Sequence, residues 1–251
     1  MKTQLSVNIN KIATLRNARG KNLPDLCYFA KIVLQTKAKG LTIHPRPDER
    51  HIRYQDVKDI KKLIKNYLDK ELNIEGYPSL PFMELVKKIK PHQCTLVPDS
   101  PQVITSHEGW DFIKKEEFLI EKIKEMKEKS IRVSLFLDPL KFNLKQNESL
   151  QKINPDRVEF YTEAYANSYK NKKKRKKILA LYQKWGKLIQ KSSIDLNAGH
   201  DLNQENLLEL LKALPYIKEI SIGQALISES LEKGLSSTIH SYLKIIKSAL
   251  S

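Results

Sequence analysis

The feature that most constrains this chain is a regular alternation of short apolar runs with longer amphipathic stretches. The runs are LSVNI (Leu5 to Ile9), GLTIH (Gly40 to His44), LNIE (Leu72 to Glu75) and QCTLV (Gln93 to Val97). RVSLFL (Arg132 to Leu137), RVEFY (Arg157 to Tyr161), IDLN (Ile194 to Asn197) and IKEISIG (Ile217 to Gly223) continue the series. Between them lie PDLCYFAKIVLQT, YQDVKDIKKLIKNYL, FMELVKKIK, FLIEKIKEMKEK, ILALYQKWGKLI and NQENLLELLKAL, each with apolar residues three and four apart, and TIHSYLKIIKSAL closes the chain. Strands that alternate with helices pair in parallel, because each helix carries the chain back to the starting edge of the sheet. Eight such units in 251 residues predict an α/β fold, a (β/α)8 barrel; an open doubly wound sheet would use fewer strands and a glycine-rich first turn. No Pro/Gly/Ser-rich linker interrupts the alternation, so residues 1–251 are expected to form a single domain.

Composition narrows the function classes. A hydrophobic content of 40% excludes a wholly disordered chain, and no apolar run approaches the roughly 18 residues that cross a bilayer. The polar start at Met1 does not resemble a signal peptide, which predicts a cytoplasmic protein. Cys27 and Cys94 have no Cys or His at ligand spacing and are expected to be reduced packing residues. The net charge of +16 would attract polyanions, yet only eight of the 45 basic residues are Arg, and the lysines are spread over most predicted helices. The one dense cluster, KNKKKRKK from Lys170 to Lys177, lacks interleaved aromatics and runs into an apolar helix, so a solvated helix start is expected there rather than a nucleic-acid site.

A barrel carries its chemistry at the C-terminal ends of its strands. The first run ends in Asn8 and Asn10, with Arg16 and Arg19 beyond; the second in His44, followed by Arg46 and His51; the third in Glu75. The fourth leads to Thr105, and the seventh to Asn197, Gly199 and His200. One His or Glu at a strand end is commonly structural, but His44, Glu75 and His200 on one mouth supply several groups for proton transfer from different strands. Gly199 and Gly223 fall where barrels often bind phosphate on backbone N–H groups, although a tight turn alone also favours glycine. Neither a Walker A sequence nor a dinucleotide fingerprint is present, and the histidines have no zinc-site spacing, so no cofactor and no metal are expected. The long polar connection from Pro98 to Phe112 is expected to be a lid.

VNINKIATLRNARG (Val7 to Gly20), LTIHPRPDERHI (Leu41 to Ile52), LNIE, PHQCTLVPD, VSLFLDP, NAGHDLNQEN and ISIGQALI together resemble the pyridoxine 5'-phosphate synthases of the deoxyxylulose-5-phosphate-dependent vitamin B6 pathway. The resemblance spans nearly the whole chain. It implies a barrel that condenses two small phosphorylated substrates, 1-deoxy-D-xylulose 5-phosphate and 3-amino-2-oxopropyl phosphate, without metal or organic cofactor, and that assembles as a homo-octamer. It also implies that His44 and Glu75 accept protons and His200 donates one. Arg46, His51 and Thr105 then match positions that hold the sugar phosphate, and Asn8, Arg19 and Gly223 positions that hold the aminoketone phosphate.

Four departures from the family pattern fall in the same places. Asn10 and Lys11 stand where the family has Asp and His; Asp201 stands where it usually has Gly; Gln224 replaces a His. The sixth-strand His-Thr-Gly is Tyr161, Thr162 and Glu163. Asp201 is expected to turn its carboxylate away from phosphate and cap the following helix. A catalytically weakened barrel with a binding role, and a different phosphosugar enzyme on the same fold, remain the competing readings, with a nucleic-acid binder third.

Overall fold

Alternation inside each strand determines which residues the barrel encloses. A computed structural model describes residues 3–98 and 108–249. Eight parallel strands, β1 (Gln4–Asn8), β2 (Gly40–Ile43), β3 (Glu71–Gly76), β4 (Gln93–Leu96), β5 (Arg132–Leu137), β6 (Arg157–Tyr161), β7 (Asp195–Gly199) and β8 (Ile217–Ile222), pair in chain order. Pairing of β1 with β8, Leu5 opposite Ile220, closes them into the predicted (β/α)8 barrel. All eight runs are strands, with ends that differ from the expected ones by at most two residues.

The helices are α1 (Asn10–Asn17), α2 (Leu26–Leu34), α3 (Tyr54–Ile64), α4 (Leu80–Ile89), α5 (Glu116–Lys127), α6 (Leu144–Ile153), α7 (Glu163–Asn167), α8 (Lys172–Gln190), α9 (Leu207–Ala213), α10 (Gln224–Lys233) and α11 (Leu235–Ser248). Four of them, α1, α6, α7 and α10, were not expected. In α1 and α6 part of the buried face is polar, Arg16 in the first and Asn147 and Ser149 in the second, which blurs the apolar period. The lysine cluster is a helix start, as expected. The Asn171 side chain accepts the Lys174 N–H and caps α8, Lys172, Lys173 and Lys174 are exposed, and Arg175 pairs with Glu209. No helix among the described residues is long and apolar enough to cross a membrane.

Outward residues of the strands, such as Val7, Leu41, Ile74, Leu135, Phe160 and Ile220, are buried beneath the helices. The inward residues are mostly polar, with Phe136 an exception near the mouth, whereas most barrels fill their centre with branched aliphatic side chains. Ser6 and Thr42 share a hydrogen bond of 2.7 Å, Asn73 donates to Thr42 Oγ1 (3.3 Å), and Thr95 donates to Asn73 Oδ1 (3.0 Å). One layer nearer the strand starts, Arg157 and Arg132 both donate to Gln93 Oε1 at 3.0 Å. Gln93 in turn donates to Glu219 Oε1 (3.2 Å), and Arg157 meets Glu219 Oε2 at 3.3 Å.

Burial raises the Glu219 carboxyl and lowers the Arg157 guanidinium, so desolvation outweighs their mutual attraction. Removing one partner should therefore cost more than removing both. Arg157→Met is expected to destabilise the fold by about 3 kcal/mol, and Arg157→Met with Glu219→Leu by clearly less, in urea unfolding. Additive losses would contradict this description of the lumen.

Candidate active site

The strand-end residues picked out above, apart from Thr105, each take a definite place in the fold. Asn8 ends β1 and is bracketed by two neighbours: its Oδ1 accepts the Asn10 N–H (3.0 Å), and its amide lies 3.5 Å from Glu75 Oε2. Asn10 begins α1, and its Oδ1 accepts the backbone N–H of His44 at 2.9 Å. An aspartate would make the same bond. The replacement of Asp by Asn at this position therefore keeps the contact that holds His44, and removes one support for a weakened site. Lys11, one residue on, is exposed and close enough to His51 to disfavour its charged form.

The connection after β2 carries His44, Arg46 and His51. The His44 and His51 rings lie 5.8 Å apart, and Arg46 is buried beside them. Burial, followed by the nearby positive groups, lowers His44 to about 3 and His51 to about 4. Both imidazoles are thus neutral at neutral pH. The Ile52 N–H donates to His51 Nδ1 (2.9 Å), which leaves Nε2 to carry the proton of that neutral ring.

Glu75 lies near the end of β3, and burial together with the charge of Glu219 raises its carboxyl from 4.5 to about 8. Sequence reasoning missed a second carboxyl here. Glu159, in the middle of β6, is 2% exposed, and burial plus the charges of Glu75 and Glu219 push it well above its ordinary value. A Cβ at Gly199 would overlap Glu159 Oε1, so the absence of a side chain here leaves room for that carboxyl. The available signal was the alternation itself: R-V-E-F-Y places Arg157 and Glu159 on the face opposite Val158 and Phe160.

His200 follows β7 with φ at 84°. Its ring stands edge-on to Tyr161 (4.7 Å between centroids) and Phe136 (5.8 Å), and Thr162 donates to its carbonyl at 2.5 Å. Tyr161 in turn donates to Glu163. The departure at the end of β6 thus forms the wall behind His200.

Asp201 does not cap a helix. Its exposed side chain lies several residues before α9, and the turn between them is held by Asn203, whose Oδ1 accepts the Glu205 and Asn206 N–H groups at 3.0 Å each. Asn206 donates to the Asp201 carbonyl (3.1 Å). With φ at 54°, Asp201 occupies the left-handed region that glycine adopts freely.

Gly223 is the N-terminal cap of α10 and packs so closely on Asn8 that an added Cβ would lie 3.1 Å from the Asn8 Cβ. Gln224 begins the helix with its amide 3.4 Å from Ser228 Oγ, leaving its backbone N–H in the first turn. Arg19 is exposed in the turn after α1. Thr105 and most of the expected lid lie outside the described residues. The end of that connection is firmly seated: the Trp110 indole donates to the Leu96 carbonyl (2.8 Å) and Phe112 is fully buried. Cys27 and Cys94 are both free, Cys94 being buried against the outside of β4.

Fold and mouth together define a (β/α)8 barrel whose mouth carries two neutral histidines and a high-pKa carboxyl. The family described as Pyridoxal phosphate biosynthesis protein PdxJ matches residues 5–248. A protein of Flavobacterium johnsoniae named pyridoxine 5'-phosphate synthase is 47% identical over 245 residues, covering 98% of this chain and 100% of that protein. One of the same name from Cytophaga hutchinsonii is 48% identical, covering 98% and 99%. The chain belongs to the PdxJ family, and it is an enzyme. Among solved structures, tryptophan synthase subunit alpha from Legionella pneumophila aligns with a TM-score of 0.63 at 13% identity over 99% of this chain and 92% of that one. KGPDC from Streptococcus mutans aligns at 0.65 and 9% identity over 100% of both. These two share the fold.

Because Asp201 sits where glycine is unstrained, Asp201→Gly should leave thermal stability unchanged or raise it by up to about 1 kcal/mol. A loss of more than about 1 kcal/mol in thermal unfolding would show that the carboxylate holds the turn.

Proposed function

We propose that the protein makes pyridoxine 5'-phosphate by condensing 1-deoxy-D-xylulose 5-phosphate with 3-amino-2-oxopropyl phosphate, releasing phosphate and water, with no metal or organic cofactor. The observation that carries this reading is the family match over residues 5–248, in a chain whose mouth holds His44, Glu75 and His200 on three strand ends. Imine formation and aldol closure form C–N and C–C bonds, phosphate loss and dehydration break C–O bonds, and each of these steps, like enolisation, moves protons on carbon, nitrogen or oxygen and needs positioned acids and bases near the working pH.

In this reading the neutral His44 and the ionised Glu75 accept protons, and His200 donates one. Arg46 and His51 hold the sugar phosphate with Thr105, Asn10 and Lys11 contributing. Asn8, Arg19, Gly223 and Gln224 hold the aminoketone phosphate, supported by the N-terminus of α10, where unpaired N–H groups favour an anion. Asp201 meets the same phosphate through its backbone N–H, its side chain being exposed. The whole chain acts as one domain, assembled as a homo-octamer in the cytoplasm, and neither nucleic acid nor membrane is a partner.

Glu75 as base gives a pH test. Its carboxyl must lose a proton to act, so a pKa of about 8 makes kcat/KM rise with pH up to that value. Purified protein is expected to convert the two phosphates to pyridoxine 5'-phosphate. Glu75→Gln should lower kcat by about 10²–10⁴-fold with the fold retained, and should abolish the rising limb. A near wild-type rate in that variant would remove Glu75 from the mechanism.

A further inference from the structure

Among the described residues Arg16 is the largest fully buried side chain, at 2% exposure. A guanidinium is taken out of water only where its donors are met, and here they converge on one segment. Nη1 and Nη2 grip Asp56 through both carboxylate oxygens (2.6 and 2.8 Å). Nη2 also donates to the His51 carbonyl at 3.2 Å, and Nε to Asn17 Oδ1 at 3.0 Å. The Asn17 amide then donates to the carbonyls of Glu49 (3.1 Å) and His51 (2.8 Å). Asp56 completes the cluster by accepting the Arg53 N–H at the start of α3 (2.7 Å).

Arg16 and Asp56 thus join α1 to α3, and Arg16 and Asn17 tie α1 to the carbonyls of Glu49 and His51 in the connection after β2. That connection is held at its other end by α1 as well, since Asn10 accepts the His44 N–H. Helix α1 therefore fastens the connection at His44 and at Glu49 and His51, with Arg46 between the fastenings and His51 held by its own carbonyl. Neither Arg16 nor Asn17 lies at a strand end.

We propose that Arg16 is a positioning residue of the active site: without touching substrate, it fixes the 44–53 connection so that Arg46 and His51 present one matched anion site, that of the sugar phosphate. The proposal rests on the functional reading above for those two side chains. Its consequence is selective. The aminoketone phosphate is held by Asn8, Arg19 and the start of α10; of these only Arg19 meets the clamp, through its backbone N–H on the Arg16 carbonyl (3.4 Å), a bond that a change of the Arg16 or Asn17 side chain keeps, so a loosened clamp weakens one substrate and spares the other. Lysine cannot replace Arg16, because one ammonium does not span both Asp56 oxygens and the His51 carbonyl together.

The test is steady-state kinetics on the full-length enzyme with each substrate varied in turn. Arg16→Lys is expected to raise KM for 1-deoxy-D-xylulose 5-phosphate tenfold or more, with KM for the aminoketone phosphate within twofold and kcat at saturation within threefold. Asn17→Ala, which leaves the Arg16–Asp56 pair in place, should shift the same KM in the same direction by two- to fivefold, and keeps the test available if Arg16→Lys does not fold. Equal increases in both KM values, or no change in either, would overturn the proposal. His51→Ala and Arg46→Ala separate it from its premise. If they raise the sugar-phosphate KM while Arg16→Lys does not, only the clamp fails. If they leave that KM unchanged, the reading of those two side chains fails and the proposal with it.

Discussion

The structure depends on carboxyl groups enclosed by a closed sheet. Once β1 pairs with β8, the inward faces of the strands share one narrow lumen, and in this chain those faces carry Glu75, Glu159 and Glu219. Three carboxyls there cannot all ionise cheaply. Desolvation raises each of them, the charge of Glu219 adds to the rise of Glu75 and Glu159, and Arg157 is the cation set directly against Glu219. Folding therefore takes up protons. Glu75 binds one in the folded state that the unfolded chain releases above its ordinary pKa, so its contribution to stability is complete below pH 4.5 and is lost as pH rises through about 8. The same shift brings the carboxyl into the range where it exchanges protons at neutral pH, which links the interior of the fold to the chemistry of its mouth.

Around that lumen the mouth is assembled from pieces held by backbone groups as much as by side chains. Asn10 takes the His44 N–H, Thr162 the His200 carbonyl, and Asn17 the Glu49 and His51 carbonyls. Such bonds tolerate exchange of one acceptor for another, which is why Asn can stand for Asp at position 10. The same principle separates Asp201 from the phosphate question, because what a left-handed turn after His200 offers a ligand is its N–H, common to Asp and Gly alike.

The barrel was legible in the sequence because its outward strand faces are apolar and its main helices keep a clean three-and-four spacing. The strand-end residues were legible for the same reason: once the strands are placed, the barrel's geometry assigns their ends. What escaped were the residues whose meaning depends on closure. R-V-E-F-Y and IKEISIG contain Glu159 and Glu219 in plain alternation, but alternation does not say whether the polar face meets water or a lumen. Gly199 was legible as a glycine at a strand end, but its contact with the Glu159 carboxyl on the neighbouring strand was not. Asn203 rather than Asp201 holds the turn before α9, because an Asn side chain bonding two residues ahead is a local motif that competes with capping from further away. Arg16 was noted only as a basic residue beyond a strand end; nothing local marks it as buried, since its partners lie 35 and 40 residues away.

One physical claim joins fold and function: burying Glu75 in the lumen beside the charge of Glu219 raises its carboxyl to about 8. It is tested most directly by infrared titration of the carboxyl band, taken as the difference between wild type and Glu75→Gln on protein labelled at glutamate. The account predicts a Glu75 midpoint at about 8, moving down when Glu219 is replaced by Gln. A midpoint near 4.5, unchanged by that replacement, would contradict it.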